Sequence, residues 1–138
     1  MKEIEKIKLP IKKEMDLFEV KFSKSMNSKI PLLNRITHYV VNRKGKQMRP
    51  MFIFLTAKML TDGKITEKVY RAASVIELIH TASLVHDDVV DGAETSWARQ
   101  AVCRIWGNEA SILSGDYLFA MAFHNFSKMT HAKFQQME

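Results

Sequence analysis

The chain alternates between segments of helical hydrophobic spacing and short polar breaks. Ile11, Met15, Phe18 and Phe22 recur at three- and four-residue intervals, which puts them on one face and predicts a helix from about Ile11 to Ser25. Leu32, Leu33, Ile36, Tyr39 and Val40 mark a second, from about Ile30 to Asn42. A loop centred on Gly45 follows. Pro50 suits the first turn of the next helix, where the amide proton it lacks would have no partner. That helix continues to about Leu60 and stops at Thr61-Asp62-Gly63. The longest segment runs from about Thr66 to Asp91. Along it Ala72, Val75, Ile76, Ile79 and Ser83 trace the stripe expected to pack, and His80, Leu84, Asp87, Asp88 and Asp91 fall on the adjacent one. Gly92 can close it as a C-terminal cap. Ala93 to Trp106 reads as irregular. A last helix, about Asn108 to Lys128, carries Ile112, Leu113, Leu118, Phe119, Met121 and Phe123 and predicts burial on several sides. The stretch from His131 to Glu138 is polar and does not read as the end of a finished domain.

Composition turns this pattern into an all-α expectation. Five glycines and three prolines in 138 residues are too few for a turn-rich β protein, and 46% apolar residues suffice for one core. With no repeats or linkers, residues 1–138 read as a single domain. The net charge of +6 would suit nucleic acid, an acidic membrane or an anionic small molecule. The lysines, however, are mixed with glutamates, and no basic tract interleaves with aromatics, so no nucleic-acid partner is expected. Cys103 is the only cysteine, which excludes an intramolecular disulfide or cysteine-rich zinc site and fits a reducing cytoplasm. The start, MKEIEKIKLP, lacks the apolar core of a secretory signal. The longest apolar stretch, Met51 to Leu60, is broken by Thr56 and Lys58, well short of the ~20 residues of a membrane span. A cytoplasmic protein without a transmembrane segment is expected.

Candidate chemistry concentrates at two places. Asp87, Asp88 and Asp91 lie within one helical turn and can converge on one patch. Their mutual repulsion costs stability unless a cation is present. Oxygen-only ligands suit magnesium, which keeps waters and shares its shell with phosphate oxygens. Asp87 and Asp91 would clamp a metal-bridged diphosphate, with Asp88 weaker or behind them. A solvated acidic helix end has the same pattern; the apolar helix running straight toward the acids favours a cavity rim. His80 lies two turns, about 10 Å, before Asp87 on the same face, and His86 directly precedes the pair as either a rim or a core histidine. The second place is Gly45-Lys46-Gln47-Met48-Arg49-Pro50, a lysine and an arginine three apart at a loop-to-helix junction. Two cations and the free N–H groups of a helix start make a diphosphate cradle, or simply a solvated basic turn.

These residues resemble the trans-isoprenyl diphosphate synthases, the polyprenyl synthetase family. The resemblance rests on Gly45-Lys46-Gln47-Met48-Arg49-Pro50 (the family's G-K-x-x-R-P) and on Glu77-Leu78-Ile79-His80-Thr81-Ala82-Ser83-Leu84-Val85-His86-Asp87-Asp88-Val89-Val90-Asp91. Trp106-Gly107-Asn108 and Leu113-Ser114-Gly115-Asp116 match later positions, so that the ordered matches run from about Ile36 to Phe123. The resemblance implies the N-terminal helices of the isoprenoid synthase bundle, truncated, around an apolar cavity. It implies condensation of isopentenyl diphosphate with an allylic diphosphate, using Mg2+. Lys46, Arg49 and His80 would hold isopentenyl diphosphate. Asp87 and Asp91 would be catalytic and, with Asp88, bind the metal. A homodimer, or pairing with a full-length synthase, is the implied assembly. Small residues at Ala82 and Ser83, one turn before Asp87, would leave the floor under the allylic tail open for a long-chain product.

Two departures qualify the resemblance. Ser96, Trp97 and Ala98 stand where the family has Arg-Arg-Gly, with Arg99 and Arg104 nearby but out of register. Beyond Asp91 the only aspartate is Asp116, so no second Asp-rich motif is present. Loss of a charge-assisted diphosphate contact costs several kcal/mol. The expectation is therefore a prenyltransferase chain inactive alone or, as the alternative, a non-catalytic helical partner of a complete synthase.

Overall fold

The computed structural model describes residues 2–42, 45–96 and 99–134. Seven helices follow one another among them: α1 (Lys2–Lys8), α2 (Lys12–Ser25), α3 (Pro31–Val41), α4 (Met48–Leu60), α5 (Glu67–Val90), α6 (Val102–Trp106) and α7 (Asn108–Phe134). A 3-10 turn, Leu9–Ile11, joins the first two. The only strands among the described residues are the two-residue pair β1 (Thr95–Ser96) and β2 (Arg99–Gln100), antiparallel, with Thr95 opposite Gln100. The all-α expectation holds.

Helix α5 is the axis of the structure. It packs along α7 and also touches α2, α4 and α6. Thr66 enters it in extended conformation, and its end is set by Gly92. The Gly92 N–H donates to Val89 O (3.3 Å) and the Ala93 N–H to Asp88 O (2.9 Å). With φ +61° at Gly92, this is a Schellman closure, in which a residue without a Cβ takes the left-handed position. The cap anticipated at Gly92 is present.

The main core lies between α2, α4, α5 and α7 and gathers Ile11, Phe18, Met51, Phe54, Leu78 and Leu118. Phe18 stacks on Phe22 at 5.3 Å and meets Phe54 edge-on at 5.9 Å. A smaller cluster, Ile36, Val40, Val85 and Val102, joins α3 and α6 to the far end of α5. Tyr39 extends it by packing on Trp106 at 5.2 Å and donating to Gln100 O at 2.8 Å.

Several expectations are corrected. Lys2–Lys8 is helical, and a ladder and a helix occupy the stretch expected to be irregular. On α5 the packed face is Ala73, Ser74, Val75, Leu78, Ala82 and Val85, whereas Ile76 and Ile79 are exposed. Small residues on α7 explain the choice: Ser111, Ser114, Gly115 and Ala122 are buried and let the two helices approach closely. The same choice leaves Leu113 and Phe123 of α7 more than two-thirds exposed, so that helix is not enclosed on several sides among the described residues. No described helix is long and apolar enough to cross a membrane.

Candidate functional site

The basic loop and the long helix meet in one cleft. Gln47 takes the left-handed conformation (φ 49°, ψ 43°) just ahead of α4 and turns the chain so that residues 45–49 face α5. The cleft, about 290 Å³, is lined by Lys46 and Arg49 on one side and by Glu77, His80, Thr81 and Leu84 on the other. Val40 and Val85 of the smaller core cluster close its inner end. A neighbouring hollow of about 390 Å³ shares Gly45, Gln47, Glu77 and Thr81 and reaches Glu19 and Phe22 of α2. Lys46, Arg49 and His80, far apart in sequence, thus line one surface. Lys46 and Arg49 are exposed, as suits cations awaiting an anion.

Electrostatics in the cleft run through Arg49. Burial pushes the His80 imidazole below its ordinary range, and the charge of Arg49 adds to that. His80 is therefore neutral near pH 7 and can donate from one ring nitrogen while accepting at the other. Burial pushes the Glu77 carboxyl up, with Arg49 partly opposing. Glu77 Oε2 is covered from solvent and has no hydrogen-bond partner among the described residues. Glu77 was part of the motif but not a candidate site residue. Its signal was available: it is the only charged residue between Arg71 and His80, in a run that is otherwise apolar except for Ser74.

The aspartates sit two turns further on, at the end of α5. Asp87 and Asp91 are exposed and Asp88 is half-buried. The Asp91 N–H still donates to Asp87 O at 2.8 Å, so both project from regular helix one turn apart. Among the described residues no group of three His, Cys, Asp or Glu side chains encloses a metal position. The donor set still fits magnesium, since two exposed carboxylates on one turn leave room for waters and phosphate oxygens.

Around this end the backbone is tightly held. Cys103 Sγ lies 3.7 Å from both Asp88 O and Ala93 O. Arg104 Nη2 is 3.4 Å from Gly92 O and 3.6 Å from Glu94 Oε1, so it is engaged by the turn after the aspartates. Trp97 and Ala98 lie outside the described residues, as do the side chains of Ser96 and Arg99. His86 faces away from the aspartates, toward α7. Its Nε2 is 3.0 Å from Ile112 O and 3.4 Å from Asp116 Oδ1, and its ring lies against Phe119. Ala82 is fully buried in the main core rather than lining an open floor. Ser83 is only half-buried and turns its hydroxyl back to Ile79 O at 2.9 Å.

The sequence profile of the polyprenyl synthetase family matches residues 30–138. The chain is 36% identical over 108 residues to the octaprenyl diphosphate synthase of Haemophilus influenzae, covering 78% of this chain and 32% of that protein. It is 32% identical over 120 residues to heptaprenyl diphosphate synthase component 2 of Bacillus subtilis, covering 87% and 34%. Among solved structures it resembles a polyprenyl synthase from Caulobacter crescentus complexed with calcium and isoprenyl diphosphate. That match has a TM-score of 0.81 and 30% identity over 91% of this chain and 38% of the other. The chain spans roughly a third of the length of these relatives.

Proposed function

The chain belongs to the polyprenyl synthetase family, and on that premise we propose that it supplies one side of the active site for condensing isopentenyl diphosphate with an allylic diphosphate. The observation that carries this reading is the single cleft lined by Lys46, Arg49 and His80, two turns below Asp87 on the same helix. Lys46 and Arg49 hold the diphosphate of isopentenyl diphosphate, and neutral His80 donates a further hydrogen bond. Asp87 and Asp91, with Asp88 behind them, hold magnesium on the allylic diphosphate. When bound, that metal supplies positive charge to the departing diphosphate. The chain's own residues then separate the two anions, the cations of the loop for one and the end of α5 for the other. The half-buried apolar surface at Leu84 keeps water from the developing allylic cation.

A long-chain product is favoured by the named products of the relatives, octaprenyl and heptaprenyl diphosphate, and by the small Ser83. Ser96 and Trp97 stand where the family has its arginine pair, so unaided turnover is expected to be slow or absent. A second reading has its own support: a non-catalytic helical partner of a complete synthase. One relative is named as component 2 of a synthase, and Ile76, Ile79, Leu113 and Phe123 are exposed apolar side chains of a kind that a partner would cover. A soluble protein of the cytoplasm accords with both readings.

Magnesium-dependent incorporation of labelled isopentenyl diphosphate, measured for the chain alone and mixed with the Haemophilus synthase, separates the two. Incorporation above that of the synthase by itself, lost when this chain carries D87N, supports the first. A change in the synthase's rate or product length that D87N leaves in place supports the second. Neither effect would remove both.

A further inference from the structure

Glu77 is a carboxylate placed where an anion is to bind. It lines the same cleft as Lys46, Arg49 and His80, and also the adjoining hollow, so it forms the ridge between the two. Its Oε2 is covered and has no hydrogen-bond partner among the described residues. A buried ionised oxygen without a partner is costly, whereas a neutral carboxyl carries a proton that it can donate. Among the described residues, the charged groups around it are Lys46 and Arg49 from the loop and α4, His80 on its own helix, and Glu19 of α2 in the adjoining hollow. The end of α3 and its cap contribute Val40, Val41 and Asn42, which are uncharged. In the empty cleft the cations favour the ionised form. An arriving diphosphate claims those cations and adds negative charge beside the carboxylate. Only two outcomes are open: the carboxylate repels the ligand, or it gives up its charge.

We propose that Glu77 takes up a proton from solvent when a diphosphate enters this cleft, and that the resulting hydroxyl donates a hydrogen bond to a phosphate oxygen. One proton is absorbed per anion bound, and no covalent bond changes. The covered Oε2 then gains the partner it lacks. Burial already moves the Glu77 carboxyl toward the neutral form, so the ligand has to complete a shift that the fold begins. The inference rests on the reading of Lys46 and Arg49 as the anion's cations. It makes the cleft selective for ligands whose head offers an acceptor oxygen at Glu77. A carboxylate-bearing ligand too short to reach it would gain nothing from the proton.

The test uses inorganic pyrophosphate with a chelator present, which removes the aspartate end from the measurement. Infrared difference spectra of the wild-type chain, with and without pyrophosphate, should show a protonated-carboxyl carbonyl band on binding; pyrophosphate has no carbonyl of its own. The band should be absent in E77Q. Calorimetry at pH 8 should show E77Q binding about three- to tenfold more tightly than wild type, because its neutral amide needs no proton, with the difference closing as the pH falls. Loss of pyrophosphate binding in K46A/R49A, with no carboxyl band in the wild type, overturns the role of Glu77 and leaves the cation site standing. Equal binding by K46A/R49A and wild type overturns the site reading and the inference together. Weaker binding by E77Q at every pH likewise overturns the proposal, since the carboxylate would then be needed in its charged form.

Discussion

The ring of His86 fills the space beside Gly115 that any side chain at that position would need; a Cβ built there overlaps the imidazole. The relationship joins the helix carrying the aspartates to α7. The same ring reaches Ile112 O and the Asp116 carboxylate across the junction. Gly115 is therefore a matter of close approach, not of turn geometry.

Replacing Gly115 with alanine should cost about 1–3 kcal/mol by overpacking, even though alanine is the better helix former by about 1 kcal/mol. In an H86A background the sign should reverse, since the obstruction is gone and only the helix preference remains. Urea unfolding of the two singles and the double provides the cycle. Additive losses would show that the overlap with His86 is not what forbids the side chain.

The core makes a simpler demand. Phe18 is fully buried between Phe22 and Phe54, so Phe18→Ala should cost about 3–5 kcal/mol. That is a large share of the 5–15 kcal/mol typical of a domain. Circular dichroism against urea should show the midpoint falling steeply. A shift under 1 kcal/mol would mean that α2 is not part of the cooperative unit.

Acid should loosen the N-terminal helices. Burial pushes the Glu14 carboxyl up, but the hydrogen bond and charge of Lys58 outweigh it and hold it below the ordinary value of 4.5. Lys58 Nζ is 2.7 Å from Glu14 Oε1 and 2.7 Å from Pro10 O. A depressed folded value means that the stabilisation is present above about pH 4.5 and is lost as pH falls through the lower folded value. The wild type should lose stability between about pH 5 and 3 more steeply than E14Q. Removing the cation in K58M should cost about 1–3 kcal/mol at pH 7.

His80 offers a direct readout of the cleft. Burial first, and Arg49 second, hold its imidazole below the usual histidine range. Proton NMR should find it titrating below the ordinary imidazole range. R49A should move it only part of the way back, since burial, the larger cause, remains. Complete restoration would mean that the cleft is wetter than its lining implies.

Much of this was legible in the order of residues, and the misses have physical causes. The long helix was placed to within a residue at each end because Thr66 and Gly92 punctuate it unambiguously. Its packed face was not, because two neighbouring faces are both apolar. The choice of Leu78 and Ala82 over Ile76 and Ile79 is made by Leu118 and Ala122 on α7, more than thirty residues away. For the same reason Ala82 was read as cavity floor when it is core. The helix Lys2–Lys8 escaped notice because its isoleucines stand singly among charges, with no face wide enough to register. Among site residues, Lys46, Arg49 and His80 were brought together by the family resemblance. Glu77 was passed over because a lone acid in an apolar run says nothing about which way it faces until Arg49 is placed beside it.

The aspartate end should show opposite responses with and without ligand. Asp87 and Asp91 are exposed one turn apart, and like charges at that spacing destabilise a helix by about 0.2–0.5 kcal/mol. Asp91→Asn should therefore leave the metal-free chain as stable as the wild type or slightly more so. With magnesium and pyrophosphate the order should invert. A ligand at 100 times its Kd stabilises by about 2.7 kcal/mol, and D91N should forfeit most of that gain while K58M keeps it. Thermal unfolding of the three chains, each with a chelator and then with magnesium plus pyrophosphate, gives the comparison. Equal ligand-induced shifts in D91N and wild type would remove Asp91 from the metal site. A loss of stability in D91N without metal would instead mark the carboxylate as part of the helix's own closure, where the turn through Gly92 would have to accommodate the change.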